Sequence, residues 1–242
     1  MKYNTRFNPT PTGSLHCGHL YMALVNANEA HCSKGNFVVR IDDTQPQWKY
    51  RTSKETVDKL CIEYHEQLSD FMIIDKWERQ SEMPSPQEIM GYNPIFDFIP
   101  KPKWEYESVA DWILDPDMPM YPYAPYLTIE KVVWDYCEGV NWLIRGEEIV
   151  TEASLYNFFI ETLRLPFIRQ SYLPKLRAGN RDNLGSLLIS KTFRNYKLQD
   201  QLDKFGIDKV LDYLKQSCLI DPDKDFYTEN VKWNPTVVGF EP

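Results

Sequence analysis

The sequence predicts an α/β fold with parallel strands, and three observations carry that expectation. Arg6 and Phe7 end a short strand, a helical run covers residues 20–31, and Gly35 breaks the chain before an apolar strand at residues 36–41, which together make a strand, helix, strand unit. A second strand-like run enters Gly146 and meets a helix over residues 151–163. Where these strands end, the chain turns polar, as it does where parallel sheets gather their ligand groups.

Between the first strand and the first helix lies RFNPTPTGSLHCGH, residues 6–19. Pro9, Pro11 and Gly13 keep this stretch out of a helix, so it is a loop that opens one. A helix N-terminus presents unpaired N–H groups and positive dipole, which suits phosphate. His16 and His19 stand at its mouth as donors, and Gly18 lets a nucleotide approach the backbone without meeting a Cβ. ATP is the first ligand to consider. The alternatives are two surface histidines or a zinc pair, but no third ligand stands at a recognisable spacing and the HEXXH pattern is not matched.

The helix over 20–31 buries Leu20, Leu24 and Ala27 at helical spacing. Arg40-Ile-Asp-Asp-Thr-Gln closes the second strand, where a carboxylate can meet a ligand ammonium; the commoner use of such an Asp is as an N-cap or loop residue. Thr52 and Glu55 have capping-box spacing for a helix whose apolar face is Val57, Leu60, Cys61, Tyr64 and Leu68. Residues 84–125 hold nine of the seventeen prolines, which predicts extended loop with one short helix near 108–114. Its aromatics, Trp104, Tyr106, Trp112, Tyr121 and Tyr123, either stack bases or pack an irregular lid, and the proline density favours packing. The helix over 151–163 is expected to bury Leu155, Phe158 and Phe159. Two further helices are expected at 198–205 and 207–215, divided by Gly206, with Ile207, Val210, Leu211 and Leu214 as core face.

At 242 residues, 43% hydrophobic and 26% charged, the chain is expected to form about one large domain with a substantial core. The apolar runs are too short for a membrane span and MKYNTRF has no signal-peptide core, so a cytoplasmic protein is expected. Five widely spaced cysteines give neither a disulfide framework nor metal knuckles, so reduced thiols and no metal site are expected. A net charge of −8 argues against a protein that coats nucleic acid everywhere. Residues 164–215 are nonetheless locally basic, as an anion site or simply as solvated helix faces.

The loop RFNPTPTGSLHCGH resembles the signature of class I aminoacyl-tRNA synthetases in the form used by the glutamyl- and glutaminyl-tRNA synthetase family, with HCGH in place of HIGH. RIDDT at 40–44, LIRGEE at 143–148 and LISKT at 188–192 match further elements in the same order, and FMIID followed by RQSE is similar to the family's next strand and short QSE element. The resemblance implies a Rossmann-type parallel sheet of the HIGH superfamily with helices on both faces. It divides the chain into a catalytic domain at 1–83 and 126–197, a contracted acceptor-end-binding insertion at 84–125, and a short helical segment and tail at 198–242, with no stretch similar to an anticodon-binding region.

By the same resemblance, His16, His19 and Lys191 act on ATP and its transition state, while Thr12, Gly18, Glu147 and Ser190 also bind ATP, with Mg²⁺ assisting. Arg6, Asp42, Tyr126 and Arg145 are expected to bind the amino acid: the arginines at a side-chain carboxylate, Asp42 at the α-ammonium. Arginine at position 145 favours glutamate over glutamine; the alternative is a salt bridge from Arg145 to Glu147 or Glu148. Leu127 stands where the family has a pocket aromatic, with Tyr126 one place away, and Trp134 replaces the first Asp of a VDD element whose second Asp matches Asp135. Leu188 replaces a loop lysine, a loss that Arg177, Arg181 or Arg194 would have to make good. The implied function is ATP-dependent activation of L-glutamate to glutamyl-adenylate and transfer to a tRNA or tRNA-like acceptor, by a monomer. The alternatives are glutamyl transfer to a modified tRNA base, as in the shortened glutamyl-queuosine branch, or to another nucleophile, and a catalytically inactive paralogue that binds a ligand or partner. A nucleotidyltransferase for another acid is a third.

Overall fold

The computed structural model describes residues 1–44, 52–98, 123–173 and 197–217. Five parallel strands make one sheet: β1 (Thr5–Phe7), β2 (Phe37–Ile41), β3 (Lys76–Arg79), β4 (Trp142–Gly146) and β5 (Arg169–Leu173). Their order is β3-β2-β1-β4-β5, the Rossmann-like arrangement in which the winding direction reverses between β1 and β4. The helices are α1 (Cys17–Cys32), α2 (Lys54–Ser69), α3 (Pro86–Met90), α4 (Ile95–Phe98), α5 (Tyr123–Cys137), α6 (Ala153–Thr162), α7 (Leu198–Phe205) and α8 (Ile207–Ser217). Among the described residues, no helix is long and apolar enough to cross a membrane.

Side chains alternate along each strand, so the sheet has two different faces. Phe7, Phe37, Val39, Ile41, Trp142, Ile144 and Leu173 lie on one face and form an apolar cluster with Leu20 and Leu24 of α1, Tyr64 and Leu68 of α2, and Leu198, Val210 and Leu214 of α7 and α8. On the other face, Leu143 packs with Ile129, Val132 and Val133 of α5 and Tyr156, Phe159 and Ile160 of α6. Arg6, Arg40 and Arg145 point to that second face, alternating with the apolar residues just named. Gly35 is required by space before β2, because a Cβ there would lie 1.9 Å from the Tyr3 carbonyl oxygen.

Several local expectations shift. The first helix begins at Cys17 rather than residue 20, because His16 caps it. The cap of α2 is Ser53, whose hydroxyl accepts from the Thr56 N–H at 3.3 Å, one residue on from the Thr52 and Glu55 pair. FMIID is not a strand; β3 starts at Lys76 and carries Lys76, Glu78 and Arg79, a charged sequence suited to the sheet's edge. In α6, Tyr156 and Ile160 are buried with Phe159, whereas Phe158 is exposed and rests edge-on against Phe159. Ile207 is exposed. Strand β5 was not expected at all, since RQSYL has little of a buried strand's apolar character. The proline-rich stretch contains α3 and α4, α5 runs across the expected boundary at 125 and 126, and the helix expected near 108–114 lies outside the described residues.

Candidate active site

The loop after β1 is laced to the end of β2. The Asn8 side-chain amide donates to the Arg40 carbonyl at 2.6 Å, the Asp42 N–H donates to the Pro9 carbonyl at 2.9 Å, and the Tyr64 hydroxyl of α2 donates to the Gly13 carbonyl at 2.6 Å. These bonds hold the turn-rich segment ahead of α1 without secondary structure of its own. His16 then caps α1: its Nδ1 accepts from the Gly18 N–H at 3.1 Å, and the His16 N–H points at His19 Nδ1 at 3.4 Å. A neutral imidazole that accepts at Nδ1 carries its proton on Nε2. The two rings stack with centroids 3.8 Å apart and planes 19° apart. A Cβ on residue 18 would meet the His16 ring at 3.0 Å, so the glycine makes room for this stack. Thr12 lies exposed on the same loop.

Asp42 and Asp43 divide two tasks. Asp43 is buried and structural: it accepts from the Ser81 N–H at 2.9 Å, the Ser81 hydroxyl at 2.6 Å and Arg79 Nε at 2.8 Å, tying the QSE turn to the end of β2. Asp42, also buried, accepts from the Thr44 hydroxyl at 3.1 Å and has the Lys131 ammonium of α5 3.5 Å away. That ammonium is chemically the same group as an amino acid's α-ammonium.

On the second face of the sheet, Arg6 is paired with an acid. Its Nε and Nη2 donate to the two oxygens of Asp135 at 2.7 and 2.9 Å, and both side chains are buried. Asp135 also accepts from Arg40 Nη1 and from the Tyr156 hydroxyl, each at 2.8 Å. Burial raises the carboxyl's pKa, but the charges of Arg6 and Arg40 outweigh it and hold Asp135 below the usual carboxylate range. Arg40 continues the chain to Glu138, with Glu78 3.6 Å from its Nε and the Trp134 ring beneath its guanidinium at 5.6 Å. Trp134, the residue that departs from the family pattern, thus serves Arg40 and donates to the Pro84 carbonyl at 2.7 Å.

Arg145 is held differently. Its Nη2 donates to Gln170 Oε1 at 2.5 Å and to the Tyr172 hydroxyl at 3.1 Å, and its guanidinium lies over the rings of Tyr156 and Tyr172 at 5.3 and 5.5 Å. Its Nε is buried with no hydrogen-bond partner among the described residues. Gln170 is itself fixed, donating to Asn157 Oδ1 at 2.6 Å and accepting from the Tyr172 hydroxyl at 2.7 Å. Every described side-chain partner of Arg145 is uncharged, whereas Arg6 and Arg40 are ion-paired. Lys131, Gln170 and Tyr172 escaped the sequence reading; only the glutamine and tyrosine two apart in RQSYL hint that they share one strand face.

His16 and His19 therefore come from the end of β1, Asp42 from the end of β2 and Arg145 from the end of β4, neighbouring strands about 5 Å apart at the point where the sheet's winding reverses. Ser190, Lys191, Leu188, Arg177, Arg181 and Arg194 lie outside the described residues, as do the side chains of Tyr126 and Glu147, whose backbones sit in α5 and in the short 3₁₀ turn Glu147–Glu152. At Gly18 the space that a Cβ would take is filled by the His16 ring, so the glycine serves the histidine stack there rather than the close approach of a nucleotide. Among the described residues no cluster of three or more metal-ligating side chains stands together.

Residues 2–83 match the model for tRNA synthetases class I (E and Q), catalytic domain. Glutamate–tRNA ligase 2 of Ruegeria sp. (strain TM1040) is 44% identical over 80 residues, covering 32% of this chain and 16% of the relative. Glutamate–tRNA ligase 2 of Granulibacter bethesdensis is 23% identical across 86% of this chain and 58% of the relative. Among solved structures, the glutamate-tRNA synthetase of Elizabethkingia anophelis superposes with a TM-score of 0.53 at 17% identity, covering 86% of this chain and 54% of that one. The chain is thus similar, over residues 2–83, to the class I glutamyl/glutaminyl-tRNA synthetase catalytic domain, and it spans little more than half the length of the longest-matching of these relatives.

Proposed function

We propose that the protein activates L-glutamate with ATP and passes the glutamyl group to a tRNA or tRNA-like acceptor. The observation that carries this reading is Arg145: a half-buried guanidinium at the end of β4, oriented by neutral side chains and, among the described residues, with no partner for its buried Nε. A buried cation without an anion is costly, and a substrate carboxylate would relieve that cost. Glutamate carries the carboxylate that an uncharged glutamine amide lacks.

In this mechanism Asp42 takes the α-ammonium in place of Lys131, and Arg145 takes the side-chain carboxylate. Arg6 acts one step back, holding Asp135 and through it Tyr156, whose ring underlies Arg145. An oxygen of the α-carboxylate attacks the α-phosphorus of ATP in line, forming the acyl–phosphate bond of glutamyl-adenylate as the bond to pyrophosphate breaks. His16 and His19 donate from Nε2 to phosphate oxygens, and Ser190 and Lys191 bring further donors to the charge that develops there. By the resemblance, Thr12, Gly18 and Glu147 are assigned to ATP and Tyr126 to the amino acid. Mg²⁺ would bind the phosphates and neutralise their charge. The acceptor then displaces AMP; a modified base or another nucleophile is equally consistent with the activation half of the reaction. The protein acts in the cytoplasm as a monomer.

A second reading, a ligand-binding paralogue without chemistry, is favoured by one observation: Arg6, one of two cations the substrate would meet, is already neutralised by Asp135. Amino-acid-dependent exchange of pyrophosphate into ATP separates the two. Glutamate and glutamine are tested apart, each with and without bulk tRNA. Exchange with glutamate alone supports the proposal; silence in all arms overturns it in favour of binding without activation, and exchange with glutamine only overturns the role given to Arg145.

A further inference from the structure

Asp42 is held at the end of β2 from two sides. Its Oδ1 accepts from the Thr44 hydroxyl at 3.1 Å, and Thr44 Oγ1 in turn accepts from Gln80 Nε2 at 3.3 Å. Gln80, the first residue of the QSE turn, is itself buried, so this side of the carboxylate is braced by the fold. Off Oδ2, at 3.5 Å, lies the Lys131 ammonium, a looser contact than the 2.7 and 2.9 Å bonds of Arg6 to Asp135. Lys131 keeps 22% of its side chain exposed, against 1% for Asp42, so solvent reaches the cation but hardly the anion. Lys131 stands one helical turn before Asp135 on α5, and the ion pairs of Asp135 with Arg6 and Arg40 pin that face of the helix to the sheet. A fixed element thus delivers the lysine to Asp42, and only its flexible four-carbon stem is left to move.

The charges at these strand ends form a pattern. Asp42 and Lys131 set a negative and a positive group side by side, and Arg145 adds a second positive group at the end of β4. The head of an amino acid carries an ammonium and a carboxylate on one carbon, so groups that recognise both must be neighbours of opposite sign. The Asp42 and Lys131 pair has that form. Glutamate adds one further carboxylate, and each of its three charged groups then has one counterpart: Asp42 for the α-ammonium, Lys131 for the α-carboxylate and Arg145 for the side chain. Before the ligand arrives, Asp42 and Lys131 neutralise each other. The buried carboxylate therefore faces a cation in both states, first the lysine and then the ligand, and never bears the cost of an uncompensated charge.

We propose that Lys131 is a substrate-binding residue: with Asp42 it forms a dipolar seat for the head of the amino acid, yielding Asp42 to the α-ammonium and pairing with one α-carboxylate oxygen while the other faces the α-phosphorus of ATP. This rests on the reading of the site as one for glutamate. The test measures binding to the full chain by calorimetry without ATP, using two probes, L-glutamate and its α-amide. The amide keeps the α-ammonium and the side-chain carboxylate and lacks the α-carboxylate. The wild type is expected to bind glutamate about 10- to 100-fold more tightly than the amide, the equivalent of one charge-assisted hydrogen bond. In Lys131→Met, glutamate is expected to bind no better than the amide, whereas Lys131→Arg keeps the charge and the preference. Should Lys131→Met not fold, Lys131→Gln, which still has a donor for Asp42, carries the same comparison. A neutral variant that still prefers glutamate overturns the proposal. One that binds both probes more tightly than the wild type also overturns it, in favour of a lysine that only competes with the α-ammonium for Asp42. Pyrophosphate exchange is read separately: a wild type that shows the preference without exchange keeps the seat and loses the activation reading, and one that binds neither probe loses both.

Discussion

The two faces of the sheet are made by alternate residues of the same strands, yet they are held together by different physics. The face toward α1, α2, α7 and α8 is apolar and relies on area removed from water and close packing. The face toward α5 and α6 carries three arginines among its apolar side chains. Two of these are ion-paired in a buried network with Asp135, Glu138 and Glu78, and the third has only neutral partners among the described residues. The difference tells where the proposed reading looks for a ligand: Arg6 and Arg40 are paired within the fold, whereas the described partners of Arg145 are neutral.

The sharpest way to break this comparison is to remove the anion at the network's centre. Asp135→Asn leaves Arg6 and Arg40 short of a counter-charge and is expected to cost about 3–5 kcal/mol in urea unfolding. Ile144→Val on the opposite face should cost about 0.5–1.5 kcal/mol in the same measurement. Equal costs would mean that the charged face is no more critical than the apolar one. Arg145→Leu, by contrast, is expected to leave stability nearly unchanged while raising KM for glutamate about 10- to 100-fold in pyrophosphate exchange, the equivalent of losing one charge-assisted hydrogen bond. A large loss of stability in that variant would make Arg145 structural.

The network's outer end sharpens the comparison through pH. Burial, and then the hydrogen bond with Glu78, raise Glu138 from 4.5 to about 7, against the pull of Arg40. The folded protein therefore holds a proton there that the unfolded chain releases, and this contribution to stability is present below pH 4.5 and is lost as pH rises through about 7. Unfolding free energies measured across that range should decline more steeply for the wild type than for Glu138→Gln, which has no proton to lose. Away from both faces, Ser53→Ala at the exposed cap of α2 should cost about 1 kcal/mol in urea unfolding, through the loss of the helix cap alone.

Some of this was legible in the chain. The order of the motif elements and the strand periodicity of FVVRI and WLIRG were enough for the parallel α/β class and for His16, His19, Asp42 and Arg145 as residues at strand ends. Two strands misled for opposite reasons. FMIID is apolar but leads into the strand, while the polar KWER and RQSYL are strands because they lie at the two edges of the sheet, where side chains meet ions and water more than core. A glutamine and a tyrosine two residues apart say nothing of the arginine on the next strand that they hold.

What the sequence determined by itself is local: which residues alternate, where a proline or glycine stops a helix, which side chains carry charge or a transferable proton. Tertiary structure decided which of those charges are spent on one another. Arg6 and Arg145 read alike along the chain, as guanidiniums near the ends of strands, and only the arrival of Asp135 on α5 beside one and of Gln170 on β5 beside the other separates them. Electrostatic pairing depends on distance through space and on burial, and neither is written in any one segment.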